Sequence, residues 1–458
     1  MNFGHIKNIH FVGIGGIGMS GIAEILTNYD LSISGCDARS SATTEKLSGE
    51  GIEIVIGHDA SHAERADLMV ISSAVKAETP ELVRARELHV PVIRRAEMLG
   101  EIMRLKRGIA VAGTHGKTTT SAMIAMVLSE GGLDPTLIIG GVLRDLATNN
   151  RLGKSDYLVV EADEYDRSFL TLHPTCAVVT NIEADHLDCY KDLADIRNTF
   201  AAFARKVPFY GCLIGCADDP LVVALLDSAA KRSMRYGLSE EAELRATNIS
   251  FDGGRSSYDV SLDDDLLGRV ALAVPGDHNI RNSLAAIAVA LELDVPFEKA
   301  ALALSKFGGV ERRFQIVGQF QGAIIVDDYA HHPTEIRATL QAARSGYPQR
   351  RIVALFQPHL YSRTRDFVED FADSLRSADL ALVSKIYGAR EEPITGVSSS
   401  MITDAAAGQG AGNVSLIEGT NEQIEAALRS ILAPGDLFVT MGAGDVNAVG
   451  RGLAGVTS

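Results

Sequence analysis

The chain has 458 residues, 46% of them hydrophobic, and a formal net charge of −16. Its length predicts about three domains at roughly 100–200 residues each. The acidic balance excludes a general nucleic-acid binder, which needs basic surface to displace counterions, while a small anionic ligand held by local positive groups stays compatible.

The start, MNFGHIKNIHFVG, lacks a charged segment followed by a long apolar one, and no stretch approaches roughly 18 uninterrupted apolar residues. A soluble, unprocessed, cytoplasmic chain with no membrane partner is expected. The five cysteines, Cys36, Cys176, Cys189, Cys212 and Cys216, contain no CxxC pair. Core packing is expected of them, rather than zinc binding or a disulfide.

In chain order, Asn8–Val12 predicts a strand ending in Gly13-Ile14-Gly15-Gly16-Ile17-Gly18, followed by a helix over Met19–Thr27. A second strand, Leu31–Cys36, ends at Asp37, about twenty residues past the glycines, where an acid can accept a ribose hydroxyl. This is a dinucleotide fingerprint, so a nicotinamide oxidoreductase is one hypothesis. Strands at Glu53–Ile56, Leu68–Ile71 and Pro91–Ile93 and helices at Pro80–Leu88 and Arg95–Met103 extend a small doubly wound sheet. Ser72-Ser73 and Arg94-Arg95 sit where such sheets bind ligands; helix caps and solvated charge are the alternative. Arg104–Arg107 predicts a linker.

The stretch Arg107–Glu130 then dominates. The apolar run Ile109–Ala112 breaks at Gly113-Thr114-His115-Gly116-Lys117-Thr118-Thr119-Thr120 before a helical pattern. Backbone amides at such a helix start face an anion, lysine adds a point charge, and the hydroxyl of Thr118 can ligate Mg²⁺. The usual G-x-x-x-x-G-K-[ST] spacing would put a glycine at Val111, so this loop is shortened. A strand at Asp156–Val160 leads into Glu161-Ala162-Asp163-Glu164-Tyr165-Asp166, with Glu161 the first candidate for metal. A strand at Cys176–Thr180 leads into Asn181-Ile182-Glu183-Ala184-Asp185-His186, where His186 is a candidate for metal or phosphate. Helices follow at Leu193–Arg205 and Pro220–Ser228.

Antiparallel strands are predicted at Thr247–Phe251, Ser257–Leu262 and Arg269–Val274, with Asp263–Asp265 as a turn. Gly276–Asn282 opens a helix at Ser283–Leu293. Asn279 and Asn282, three apart, can read an adenine edge or cap the helix. Arg312-Arg313 is either solvated or phosphate-binding. Strands at Ala323–Val326, Ile352–Phe356, Leu380–Val383 and Leu437–Thr440 alternate with helices in a third nucleotide-fold-like domain. Polar groups gather after its strands: Asp327 to Glu335, then Gln357 to Arg365.

As an ordered set, HFVGIGGIGMSG at 10–21, GTHGKTTT at 113–120, EADEYDRSFL at 161–170, NIEADHLD at 181–188, GDHNIRN at 276–282, RRFQ at 312–315, DDYAHHPTEI at 327–336 and FQPHLYSRT at 356–364 resemble the Mur ligases of peptidoglycan synthesis over essentially the whole chain. The shortened phosphate loop is that family's own form. Tyr329 and FQPHLYSRT look like the branch that adds L-alanine rather than the one that recycles an intact tripeptide. The resemblance implies an α/β fold of three domains: a Rossmann-like parallel sheet binding UDP-sugar (1–107), a P-loop ATPase-like domain with a small antiparallel sheet (108–313), and a Rossmann-like domain that binds the amino acid and closes (314–458). It implies ATP-dependent amide ligation through an acyl phosphate, with UDP-N-acetylmuramate and L-alanine as substrates.

Residue by residue, the resemblance assigns Gly13, Gly15, Gly16, Gly18, Asp37, Ser72, Ser73, Arg94 and Arg95 to the UDP-sugar. Gly113, Thr114, His115, Gly116, Lys117, Thr118, Thr119, Asn279, Asn282 and Arg312 go to ATP, and Tyr329, His331 and His359 to the amino acid. Thr118 and Glu161 would hold one Mg²⁺ and His186 a second, with Lys117, Glu161, His186 and Arg363 catalytic. Several relatives carry a carbamoylated lysine shortly after the DH motif; the matching region here, Arg197 to Ala201, has none. Monomer and homodimer both stay open, as does a nucleotide-gated binding protein that hydrolyses ATP without ligation.

Overall fold

The computed structural model describes residues 3–456 apart from 73, 145–147, 187–188 and 390, with backbone alone for 17, 148 and 149. The chain forms two compact units. One holds Met1–Arg245, Val260–Gly268 and Arg281–Ala303; the other holds Ala246–Asp259, Arg269–Ile280 and Leu304–Ser458.

The first unit begins with β1 (Asn8–Val12), α1 (Ile17–Leu26), β2 (Ser32–Asp37), α2 (Ala42–Gly49), β3 (Glu53–Ile56), β4 (Leu68–Ile71), α3 (Pro80–Leu88), β5 (Val92–Arg94) and α4 (Arg95–Arg104). The five strands are all parallel in the order β3-β2-β1-β4-β5. Both faces of β1 are covered. Ile9 and Phe11 join one large cluster, and Val12 packs with Cys36, Ala63, Met69 and Ala85 on the other side. Burial on both faces explains the near-continuous apolar strands. The order reverses beside β1, and ligands bind open α/β sheets at the carboxyl edge there.

Next come β6 (Arg107–Ala112), α5 (Lys117–Glu130), β7 (Thr136–Leu143), β8 (Thr148–Arg151), β9 (Tyr157–Glu161), β10 (Cys176–Val179), α6 (Leu193–Ala204), β11 (Cys212–Cys216), α7 (Pro220–Ser228) and β12 (Ser233–Gly237). They form a mixed sheet in the order β12-β11-β10-β6-β9-β7-β8, antiparallel only at β7–β8. β6 lies between β9 and β10, so the loops after all three open at one edge. Then follow β13 (Leu244–Asp252), β14 (Arg255–Leu262), β15 (Asp265–Leu272), α8 (Asp277–Glu292) and α9 (Phe297–Ser305). Cys176, Cys212 and Cys216 are free and buried in the sheet, as expected of core residues.

The second unit carries β16 (Gln315–Phe320), β17 (Ala323–Asp328), α10 (Pro333–Gly346), β18 (Ile352–Phe356), α11 (Tyr361–Asp366), α12 (Val368–Leu375), β19 (Leu380–Val383), α13 (Ser400–Gly408), β20 (Val414–Leu416), α14 (Asn421–Ile431), β21 (Leu437–Met441) and α15 (Asn447–Ala454). Its sheet runs β16-β17-β21-β18-β19-β20, parallel except for the first pair. Among the described residues, no helix is long and apolar enough to cross a membrane.

Several boundaries differ from the sequence reading for local reasons. The expected linker Arg104–Arg107 shrinks to Leu105-Lys106, because Arg104 completes α4 and Arg107 pairs with Tyr157. The helix expected at Ser283 starts at Asp277, directly after Gly276 turns the chain with φ 99°. β9 extends to Glu161, which pairs with Val111. Asp265 starts β15 rather than ending a turn. The β7–β8 hairpin was not foreseen.

Candidate active site

The loop after β6 is built for close approach. Gly113 has φ 136°, and a Cβ there would lie 2.0 Å from Thr180 Oγ1; Gly116 has φ 83°. L-residues rarely adopt such dihedrals, so both corners require glycine. Neighbouring strands hold the turn. His115 N–H donates to Asn181 Oδ1 at 2.9 Å, and its carbonyl accepts from Thr180 Oγ1 at 2.6 Å and Asn181 Nδ2 at 3.0 Å. Thr114 Oγ1 accepts from Glu183 N–H at 2.9 Å. Gly116 caps α5 without a side-chain bond, and the first turn of α5 has no acid, so its amides and dipole favour an anion.

Lys117 is the cation of this loop. Its Nζ donates to the carbonyls of Gly113 (2.6 Å) and Thr114 (3.1 Å) and to both oxygens of Glu164 (2.9 and 2.8 Å). Burial opposes its charge, but the carboxylates of Glu164, Asp163 and Glu161 outweigh burial and push its pKa up. Glu164 is 3% exposed, and its carbonyl accepts from Tyr190 Oη at 2.6 Å. His186 Nε2 lies 3.7 Å from Glu164 Oε1. Glu161, at the end of β9, accepts from Gly140 N–H at 2.7 Å. Thr118 and Thr119 occupy the first turn of α5, and Thr120 Oγ1 donates to Asn282 Oδ1 at 3.1 Å. The structure thus gathers Gly113, Thr114, His115, Gly116, Lys117, His186 and Asn282. Asn279 belongs to the other unit, where its Nδ2 donates to Pro275 O at 2.7 Å.

The turn after β1 gathers another set. Gly13 has φ 80° and donates to Cys36 O at 2.8 Å. Gly15 N–H donates to Asp37 Oδ2 at 2.9 Å. A Cβ on Gly13 would stand 3.1 Å from Ser72 Oγ, and one on Gly18 2.8 Å from Arg95 Nη1. Gly16 caps α1 without a side-chain bond and no acid follows in its first turn, so this helix start too suits a phosphate. Arg94 instead reaches Asp166 Oδ2 at 3.2 Å. Ser73 lies outside the described residues.

In the second unit, Arg312 and Arg313 both lie over Tyr329, their guanidinium carbons 4.8 and 5.3 Å from its ring centre. The rings continue from Tyr329 to His331 (5.3 Å), His359 (5.7 Å) and Tyr387 (6.0 Å). Arg312 Nη2 donates to the carbonyls of Gly442 (2.6 Å) and Gly444 (3.2 Å), which ties it to the turn after β21. Asp328 accepts from Phe314 N–H and Ala330 N–H, each at 2.8 Å, and burial pushes its pKa up to about 6. Burial, with the charges of His331 and Arg363, lowers His359 to about 4. Arg363 is 8% exposed, on α11.

Sequence reasoning passed over Glu164, which takes Lys117, and Asn181, which braces the loop. Glu164 had a readable signal: it is one of four acids between 161 and 166. The chain just after it is irregular, with Asp166 and Arg167 both at positive φ, 54° and 56°.

Residues 8–107 match the model "Mur ligase family, catalytic domain", 111–290 the "Mur ligase middle domain" and 312–444 the "Mur ligase, glutamate ligase domain". The chain is 50% identical to the UDP-N-acetylmuramate–L-alanine ligase of Geobacter sp. (strain M21), covering 98% of this chain and 97% of that one. It is 48% identical to the enzyme of the same name from Azoarcus sp. (strain BH72), covering 98% of each. Its structure resembles the UDP-N-acetylmuramate–alanine ligase of Thermotoga maritima with TM-score 0.80 at 30% identity, over 98% of both chains. A murein peptide ligase from Psychrobacter arcticus 273-4 follows at TM-score 0.69 and 27% identity, over 99% and 100%. With all three models matched in order along the glycine turns and the lysine loop, the chain belongs to the Mur ligase family.

Proposed function

We propose that this chain joins L-alanine to the lactyl carboxylate of UDP-N-acetylmuramate, converting ATP to ADP and phosphate, in the cytoplasmic stage of peptidoglycan synthesis. The observation that carries this reading is near-full-length identity of about one half to ligases of that name. A nicotinamide oxidoreductase would leave the Lys117 loop without a role.

The family models, matched at 8–107, 111–290 and 312–444, support a division of labour with borders near 107 and 313. Gly13, Gly15, Gly16 and Gly18 present the start of α1 to the UDP diphosphate, Asp37 serves a ribose hydroxyl, and Ser72, Ser73, Arg94 and Arg95 are assigned to the same ligand by the family motifs. Gly113 to Thr119 cradle the ATP phosphates, with Asn279, Asn282 and Arg312 assigned to the same nucleotide. The buried cation of Lys117, over glycines that a Cβ would fill, suits the β/γ-phosphates. Thr118, Glu161 and His186 offer a hydroxyl, a carboxylate and an imidazole to Mg²⁺, two ions in our assignment, which when bound supply positive charge at phosphoryl oxygens.

The chain's own groups do the remaining work. A carboxylate is a poor electrophile, so its oxygen must become a leaving group; phosphorylation gives an acyl phosphate, and the neutral alanine amine then displaces phosphate. Transition-state charge spreads over phosphoryl oxygens, so fixed cations dominate catalysis. Lys117 holds its charge at neutral pH, since its carboxylate neighbours push its pKa up. Arg363 is assigned to the same phosphoryl charge, and Tyr329, His331 and His359 to L-alanine. Holding acyl phosphate and amine together contributes up to ~7–11 kcal/mol in the best-oriented cases.

The test is a matrix of amino acids and peptides offered with UDP-N-acetylmuramate, read by phosphate release and product mass. Alanine-dependent product is expected. Turnover with an intact tripeptide alone would overturn the assignment, and ADP release that ignores both substrates would indicate a gated ATPase.

A further inference from the structure

The first sheet carries a second group of donors that ligation does not use. Cys36, fully buried near the end of β2, packs on the sheet face that holds Ala63, Met69 and Ala85. Next to it stand Glu81, fully buried in the first turn of α3, and His58 and His62, which flank the start of a short 3₁₀ turn. Glu81 Oε1 lies 3.3 Å from Cys36 Sγ and 3.0 Å from His58 Nδ1, and those two atoms are 3.7 Å apart. A tetrahedral Zn²⁺ with bonds of ~2.0–2.3 Å has ligand–ligand edges of ~3.3–3.7 Å. The observed triangle is close to one face of that tetrahedron. His62 Nδ1 is 3.2 Å from the same Glu81 oxygen.

Two further atoms point the same way. His10 is 4% exposed, and its Nδ1 meets Ser34 Oγ at 2.9 Å, while its Nε2 has no hydrogen-bond partner. Ligand atoms of His10, Cys36 and His62 lie within 4.8 Å of one another. Glu81 Oε2 is likewise buried and unpartnered. Glu81 Oε1 also accepts from Asp59 N–H at 3.0 Å, so a network of hydrogen bonds around one carboxylate oxygen is the plainer reading, but it leaves Glu81 Oε2 buried without a partner, which a cation held by both carboxylate oxygens would supply.

We propose that Cys36, His58 and Glu81 form a site for a tetrahedral transition-metal cation, Zn²⁺ by the chemistry of its S, N and O donors, with the fourth position left to water. Soft thiolate with imidazole and carboxylate selects Zn²⁺ over Mg²⁺ or Ca²⁺. His58 is one-third exposed along its side chain and marks the entry path. Binding sends the Cys36 thiol proton to solvent, and the His58 imidazole presents its Nδ1 lone pair with its proton on Nε2. Without the cation, burial and the Glu81 carboxylate push the Cys36 pKa up, so affinity falls as pH falls. The site also bears on the UDP-sugar turn, because Gly13 N–H and Ile14 N–H both donate to Cys36 O, at 2.8 and 3.1 Å.

The full chain, stripped with a chelator and titrated with Co²⁺, tests this. About one equivalent should give thiolate-to-cobalt charge transfer and tetrahedral visible bands, which Zn²⁺ then bleaches. Cys36→Ser should lose the charge-transfer band. His58→Asn, at the solvent edge and tolerable to the fold, should weaken Co²⁺ by at least about tenfold and lose the Zn²⁺-dependent rise in melting temperature. A wild-type chain that binds no Co²⁺, a band that persists in Cys36→Ser, or unchanged affinity in His58→Asn would each overturn the site.

Discussion

The turn after β1 and the turn after β6 each end a parallel strand inside a sheet. Each starts a helix that has neither a side-chain cap nor an acid in its first turn. By backbone alone both are anion seats. They differ in what the neighbouring strands bring. β2 offers the first turn a carboxylate, Asp37, which accepts from Gly15 N–H, and no lysine stands in Gly13–Gly18. The second turn contains Lys117, and acids after β9 surround its charge. A seat whose cation is the half-buried Arg95 beside Gly18 suits a diphosphate that stays intact, while a lysine buried among carboxylates suits a phosphoryl group whose charge must be stabilised as it moves. A glycine fingerprint thus marks where an anion sits, and the charged groups around it mark whether chemistry happens there.

Removing that difference should have the largest effect. Lys117→Ala should lower kcat by about 10³-fold or more while the affinity for UDP-N-acetylmuramate, measured by calorimetry, changes less than about threefold. Near-normal turnover would show that the two turns do not differ in kind. Glu164→Gln should follow, with kcat down about 10²-fold, because Lys117 loses the group that holds it over the loop. A stopped-flow phosphate-release assay separates this from an effect confined to the KM for ATP.

The backbone side of the comparison is tested by Gly113→Ala. A Cβ there would stand 2.0 Å from Thr180 Oγ1 at a φ of 136°, so about 1–3 kcal/mol of strain is expected, together with a raised KM for ATP. At the first turn, Asp37→Ala should raise the KM for UDP-N-acetylmuramate by roughly 10–100-fold, the loss of a charge-assisted hydrogen bond of about 1.5–3 kcal/mol, and leave kcat largely intact. A fall in kcat equal to that of Lys117→Ala would erase the distinction between seat and engine.

How legible this was in the sequence follows from distance along the chain. Gly113, Gly116 and Lys117 lie within five consecutive positions between a strand and a helix, so their geometry is set locally. The alternation of strand and helix likewise exposes the α/β layers, and family motifs placed the ligase reading before any coordinates. Glu164 was passed over because Glu161 comes first after the strand. The later acid faces Lys117 from the start of an irregular 3₁₀ turn that no periodicity signals. Asn181 was read as part of a ligand loop, yet it braces His115 because β10 pairs beside β6. Cys36 was expected to be packing alone. Its partners at 58 and 81 come from separate elements brought together by the sheet order, which leaves no CxxC-like spacing to find.

The smallest expected effect concerns pH and lies outside both turns. The carboxylates around Lys117 push its pKa up, so this lysine keeps its charge between about pH 6.5 and 4 and does not itself set acid sensitivity there. His359 does titrate against folding there. Its folded value is lowered to about 4 by burial, His331 and Arg363, against about 6.5 when unfolded. The unfolded chain therefore binds more protons in that window, and stability rises with pH across it. The contribution is complete above about pH 6.5 and is lost as pH falls through about 4. At about pH 5 the wild type should have lost roughly 1–2 kcal/mol relative to neutral pH from this group. Scanning calorimetry of His359→Gln should show a shallower fall in apparent melting temperature between those pH values. An equally steep fall in the variant would return acid sensitivity to the carboxylates around the two turns and weaken the contrast between them.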